Sequence, residues 1–124
     1  MNKLGYVRRE FEKLSIPYEF GQWTKEVTYP YFVGELGQES IPAEDGRIET
    51  TFIINGWHRG YINDLELIKE KIMKHFNAIY GLRISTETGA LIIRYENSVY
   101  IPQNDSDLKR IQINLSITEW KGDL

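Results

Sequence analysis

From residue 111 to residue 118 the chain alternates without a break: Ile111, Ile113, Leu115 and Ile117 on one side, Gln112, Asn114, Ser116 and Thr118 on the other. Successive side chains of a strand point to opposite faces, so this segment has one apolar face to bury and one polar face to leave in water. A parallel sheet buried on both faces reads instead as a near-continuous apolar run. The pattern therefore predicts a central strand of an antiparallel sheet that is covered on one side only, and the rest of the chain must supply the cover.

Two amphipathic helices fit that role. Leu4, Val7, Phe11 and Leu14 recur at three- and four-residue steps before a stop at Ser15-Ile16-Pro17. Leu65, Ile68, Ile72 and Phe76 do the same, with Glu66, Lys69, Glu70, Lys71 and Lys74 toward water. The second helix is expected to start at Asn63, with Asn63 and Glu66 forming a capping-box-like pair.

Period-two patterns predict the other strands. One is short, over residues 18–23. The next runs from Thr28 to Leu36, with Pro30 near its start, where a missing N–H is tolerable. A third carries Ile48, Phe52 and Ile54 on one face and leaves through Gly56-Trp57-His58-Arg59-Gly60. Leu82 to Thr86 then turns at Glu87-Thr88-Gly89 into a strand with Leu91, Ile93 and Tyr95 on one face and a bend at Asn97-Ser98. Gly37 to Gly46 has no periodicity and reads as an exposed, mobile loop. Trp57, between Ile54 and the second helix, is expected to anchor the strand exit against that helix. Helices and strands do not alternate regularly, so the fold expected is α+β, a mainly antiparallel sheet with two helices packed on one face. At 124 residues and 41% hydrophobic content the chain has material for one core, hence a single domain over residues 1–124.

Composition narrows the chemistry. The net charge is −3 and the pI is near 5.4, so there is no global cationic field to hold a phosphate backbone, and no specific nucleic-acid binding is expected. No cysteine is present, which removes disulfides, thiolate nucleophiles and Cys-based metal sites. No apolar run approaches the length of a membrane span, and the first nine residues lack the core of a signal peptide, so a soluble, intracellularly made protein is expected. His58 and His75 have no metal-ligand spacing. None of Ser15, Ser40, Ser85, Ser98, Ser106 or Ser116 sits in Gly-x-Ser-x-Gly. The 104–107 loop lacks the glycine and distal glutamate of an EF-hand, and Gly34-Glu35-Leu36-Gly37 lacks the spacing and lysine of a phosphate loop. No catalytic residue, metal site or cofactor follows from these patterns. Eight tyrosines, five phenylalanines and three tryptophans are a heavy aromatic load, but the sequence neighbours of Tyr29, Tyr31 and Phe32 are acidic. That favours core packing and protein contact over base stacking.

Charge is segregated along the chain. Between Glu19 and Glu49 seven acids face two bases, whereas Lys3, Arg8, Arg9 and Lys13 outnumber Glu10 and Glu12 in the first helix. Complementary patches of this kind can meet head to tail on neighbouring copies.

The segment Tyr29-Pro30-Tyr31-Phe32-Val33-Gly34-Glu35, then Glu44-Asp45-Gly46, then Phe52-Ile53-Ile54-Asn55-Gly56-Trp57 running into the helix at Leu65-Glu66, resembles the tail terminator and minor tail proteins of siphophages and their prophages. The likeness spans most of the chain through short motifs. It implies a structural protein rather than an enzyme, forming a ring, commonly hexameric, that ends tube growth and presents a surface to the head connector. Its implied partners are further copies of itself, the tail tube protein and connector proteins, with DNA passing through the ring. In such a ring the expected interface sets Glu39, Glu44 and Asp45 of one copy against Arg8, Arg9, Lys109 or Arg110 of the next. Its implied location is the host cytoplasm during assembly and then the virion tail or neck. Two alternatives share the same residues: a head-completion or head–tail adaptor protein, and a small non-viral α+β module that binds a peptide along its sheet edge.

Overall fold

The computed structural model describes residues 1–121. Helix α1 spans Lys3–Lys13 and is capped by Asn2, whose side-chain oxygen accepts from the N–H groups of Leu4 and Gly5 at 3.0 and 3.3 Å. It stops where Ser15 adopts a left-handed conformation, φ 56°. The elements that follow are β1 (Tyr18–Phe20), β2 (Tyr31–Glu39), β3 (Arg47–Arg59), α2 (Ile62–His75), β4 (Leu82–Ser85), β5 (Gly89–Tyr100) and β6 (Leu108–Lys121). They form one six-stranded sheet in the order β1-β2-β3-β6-β5-β4. Only β1 and β2 pair in parallel; the other pairs are antiparallel. β3 and β6 pair continuously from Arg47↔Trp120 to Arg59↔Leu108, about 40 Å at roughly 3.4 Å per residue. One end of the sheet holds the β2–β3 and β4–β5 turns. The other holds the β3–α2 and β5–β6 connections, and these are called the turn end and the loop end below.

Both helices lie on one face of the sheet, as the α+β reading requires. Phe52 and Ile54 of β3, Ile93 of β5 and Ile111, Ile113, Leu115 and Ile117 of β6 are fully buried there, against Val7 and Phe11 of α1 and Leu65, Ile72 and Phe76 of the α2 region. Phe11 joins the two helices to the sheet edge: its ring stacks on Tyr18 at 4.9 Å and meets Phe76 at 6.0 Å.

One buried carboxylate sits in the seam between the helices. Glu10 is 2% exposed. His75 Nε2 lies 2.9 Å from its Oε1, where an ionised carboxylate can only accept, and Lys13 Nζ lies 3.0 Å from its Oε2. Burial pushes the Glu10 pKa up, but the hydrogen bonds and charges of Lys13 and His75 outweigh it and hold the group below its ordinary 4.5. A depressed carboxylate stabilises the fold above its unfolded pKa, and the contribution disappears as pH falls through the folded value. Wild-type melting temperature should therefore drop more steeply between about pH 6 and pH 3 than that of Glu10→Gln, with the two curves converging in acid. Parallel curves would show that Glu10 titrates as it does in the unfolded chain.

Several boundaries differ from the sequence expectation for identifiable reasons. β1 ends at Phe20: Gly21 gives β2 one last bond, its N–H donating to Gly34 O, and its φ of 87° turns the chain out of the strand. β2 begins at Tyr31 rather than Thr28, just past Pro30, which has no N–H to give a ladder. It then continues to Glu39 through residues expected in the loop, and Ser40 N–H bonds Glu49 O, so the connection is a closed hairpin turn over residues 41–46. Helix α2 begins at Ile62 after Tyr61, which provides no side-chain cap. Asn63 is inside the first turn, and the predicted capping box is absent. Glu66 bonds Lys69 and the Tyr100 hydroxyl instead, the latter at 2.5 Å, while Asp64 takes His58 Nε2 at 2.9 Å. A tertiary partner from β5 has outcompeted a local one. The bend at Asn97-Ser98 is a register shift between Tyr95 and Asn97 that leaves β5 continuous.

Candidate interaction surface

Among the described residues, no second layer of helix or sheet covers the face of the sheet away from the helices. Its side chains follow from strand parity: Tyr31, Val33 and Glu35 on β2, Thr51, Ile53, Asn55 and Trp57 on β3, and Arg110, Gln112, Asn114, Ser116 and Thr118 on β6. Amide side chains bond across its middle, Asn114 Nδ2 donating to Asn97 Oδ1 at 2.7 Å and Gln112 Nε2 to Asn114 Oδ1 at 3.3 Å.

Toward the loop end, this face carries a row of stacked rings and guanidinium groups. Trp23, from the β1–β2 connection, lies 5.1 Å from Tyr31, and Tyr31 stacks on its cross-strand partner Trp57 at 5.2 Å and 19°. The Arg110 guanidinium covers Trp57 at 5.5 Å and is fixed by two hydrogen bonds to Asn55 Oδ1, at 3.1 and 3.0 Å. Beside the row, Tyr29 is 5.7 Å from Tyr31 and lies under Arg59, whose Nη1 also bonds Asp105 at 2.7 Å. Two physical consequences follow. The faces of Tyr31 and Trp57 are covered by neighbours of this chain, so neither is an open platform for a base or sugar. The outward tips are Trp, Tyr and Arg, the residue types that dominate binding energy where proteins meet.

This placement corrects the sequence reading of Trp57. The parity that turns Phe52 and Ile54 inward turns Trp57 outward, away from α2 and onto Tyr31. Because the ring is only partly buried, Trp57→Ala should cost about 1–2 kcal/mol, the worth of its stacking and partial burial, rather than the 3–5 of a core tryptophan. Denaturant unfolding measures it, and a loss near 4 would put Trp57 in the core after all.

The residues expected at an interface fall in three places. Glu39, Glu44 and Asp45 are exposed at the turn end. Glu39 already accepts from Lys3 of its own chain at 3.3 Å, and Asp45 Oδ1 accepts from the Arg47 N–H at 3.1 Å. Arg8 and Arg9 lie along α1, over the rings of Tyr18 and Tyr6, with Arg9 Nε 3.9 Å from Glu10. Lys109 and Arg110 are at the loop end, where Lys109 donates to Ser106 O. Among the described residues, no ion pair joins the three acids to those four bases. The acidic turn and the Lys109–Arg110 pair are separated by the length of β3. The sequence reading missed Tyr29, Tyr31 and Arg59 as parts of one cluster, because the guanidinium over Tyr29 comes from β3, that over Trp57 from β6, and the ring on Tyr31 from β3, not from sequence neighbours.

Among the described residues no group of three or more His, Asp or Glu side chains could hold a metal ion, and no helix is long and apolar enough to cross a membrane. No known protein family's sequence profile and no curated protein sequence matches the chain.

Proposed function

We propose that the chain is a phage or prophage tail terminator, a structural protein that forms a ring at the head-proximal end of the tail tube, stops tube growth and joins the head connector. Such a protein needs two unlike axial surfaces, one for the tube and one for the connector. The observation that supports this reading is the polarity of one continuous sheet, with an exposed acidic hairpin at the turn end and a row of Trp, Tyr and Arg tips at the loop end. The two ends carry different chemistry and do not neutralise each other within a protomer, so each is open to a partner. Along β6 the uncovered face between them presents Gln112, Asn114, Ser116 and Thr118, and its charges are mixed, Glu35 on β2 against Arg83 on β4 and Arg94 on β5, so it offers no basic stripe to grip passing DNA.

The test is tube assembly from purified tail tube protein with and without this chain, read by electron microscopy. Capped tubes of limited length, with the chain located at one end, support the proposal. Tubes that grow on unaffected overturn it, and binding to connector proteins alone would assign the chain to the head–tail adaptors instead.

A further inference from the structure

Both edges of the sheet are stepped, and the two steps match. On one edge β1 pairs only with Phe32–Gly34 of β2, so that among the described residues the outer side of Glu35–Glu39 has no partner strand. On the other edge β4 pairs only with Ala90–Ile93 of β5. Just beyond that, Tyr95 N–H reaches Phe76 O, and among the described residues the outer side of 96–100 has no partner strand. The free half of β2 points to the turn end and the free half of β5 to the loop end.

Resting on the terminator reading, we propose that these edges pair between copies, so that one sheet continues from protomer to protomer. If two copies lie side by side in the same orientation, the β1 edge of one fits the step beyond β4 on its neighbour, and the neighbour's β4 fits the step beyond β1. The pairing pattern sets the strand directions: β1 would meet the free half of β5 antiparallel, and β4 would meet the free half of β2 parallel. Charge agrees, since Glu35 on β2 and Arg83 on β4 are both exposed and both on the uncovered face. Apolar exposure agrees too: Phe20 and Leu36 are 37% and 41% exposed at the first edge, and Ile79 and Tyr80, just before β4, are 76% and 77% exposed at the second. Neither free segment contains the lysine or proline that commonly blunts an edge. The contact is heterologous, joining unlike edges, and such contacts close into rings when the sheet curves. The register shifts at Leu36/Glu39 and Tyr95/Asn97 bend both free halves.

The absence of cysteine makes a clean test possible. Gln38→Cys on β2 and Ser85→Cys on β4 are both at exposed positions. Each variant alone, and an equal mixture, is treated with a short bismaleimide, free at high concentration and again bound to tail tubes. The expected result is a covalent dimer in the mixture and none in either variant alone. No mixed product in either setting overturns the edge pairing, as does linkage within one variant alone, which would mean like edges meet. Tube capping without mixed linkage would leave the terminator reading standing and remove only this inference. Mixed linkage without capping would do the reverse.

Discussion

Gly56→Val should leave the chain unable to reach its native fold. Gly56 lies on β3 opposite Phe32 of β2 and Ile111 of β6, on the helix face. A Cβ there would stand 2.2 Å from Phe32 Cε1 and 2.5 Å from Cδ1, closer than any real contact. The Phe32 ring fills the space above the glycine and is 1% exposed, so it has no solvent to swing into. Ejecting it costs about as much as deleting a buried phenylalanine, roughly 3–5 kcal/mol, against a total stability of about 5–15 kcal/mol for a typical domain. The added branched side chain strains the core further. Circular dichroism and solubility report the outcome. The double variant Gly56→Val with Phe32→Ala supplies the control, because vacating the ring volume should recover part of the loss. A Gly56→Val protein with native melting behaviour would show that Phe32 does not occupy this site.

Replacing residues 41–46 with glycine and serine at equal length should leave the melting temperature nearly unchanged and, under the terminator role proposed above, abolish control of tube length. These residues add almost nothing to the core: Ile41 is 86% exposed, and the turn is closed mainly by local bonds such as Ala43 N–H to Arg47 O and Gly46 N–H to Ala43 O. Changes at exposed positions of this kind usually move stability by no more than about 0.5 kcal/mol. The same turn carries the exposed acids Glu44 and Asp45, which the proposed ring would set toward a neighbour or the tube. Tubes that still stop at normal length in its presence would make the hairpin dispensable and remove the acidic contact from the assembly scheme.

Much of the architecture is written in local patterns. The alternation around Ile113 and Leu115 specifies a half-covered strand, and the three- and four-residue spacing of Val7, Phe11, Leu65 and Ile72 specifies the helices that cover it, because side-chain direction along a helix or strand is fixed by backbone geometry. Element ends were less legible. A cap at Asn63 was reasonable on local grounds, yet Glu66 is bound to Tyr100, thirty-four residues away, and no window of sequence contains that competitor. β2 likewise runs past Leu36 because β3 stands beside it to accept the pairing.

The candidate surface divides along the same line. Sequence by itself determined that β6 has a polar side to leave uncovered, that acids gather before Glu49 and bases in the first helix, and even that Trp57 has the parity of the uncovered face, since those properties follow from residue identity and period. Only the tertiary structure decided that Arg110 would lie on Trp57 and Arg59 on Tyr29, that the acidic turn and Lys109 would stand at opposite ends, and that both sheet edges would be stepped. Each of these depends on strand order and register, which arise from contacts between segments far apart in the chain. A pairing slip of one residue would turn every side chain of β3 to the other face, and it is the burial of Phe52 and Ile54 under the helices that holds the register and with it the whole arrangement on the open side.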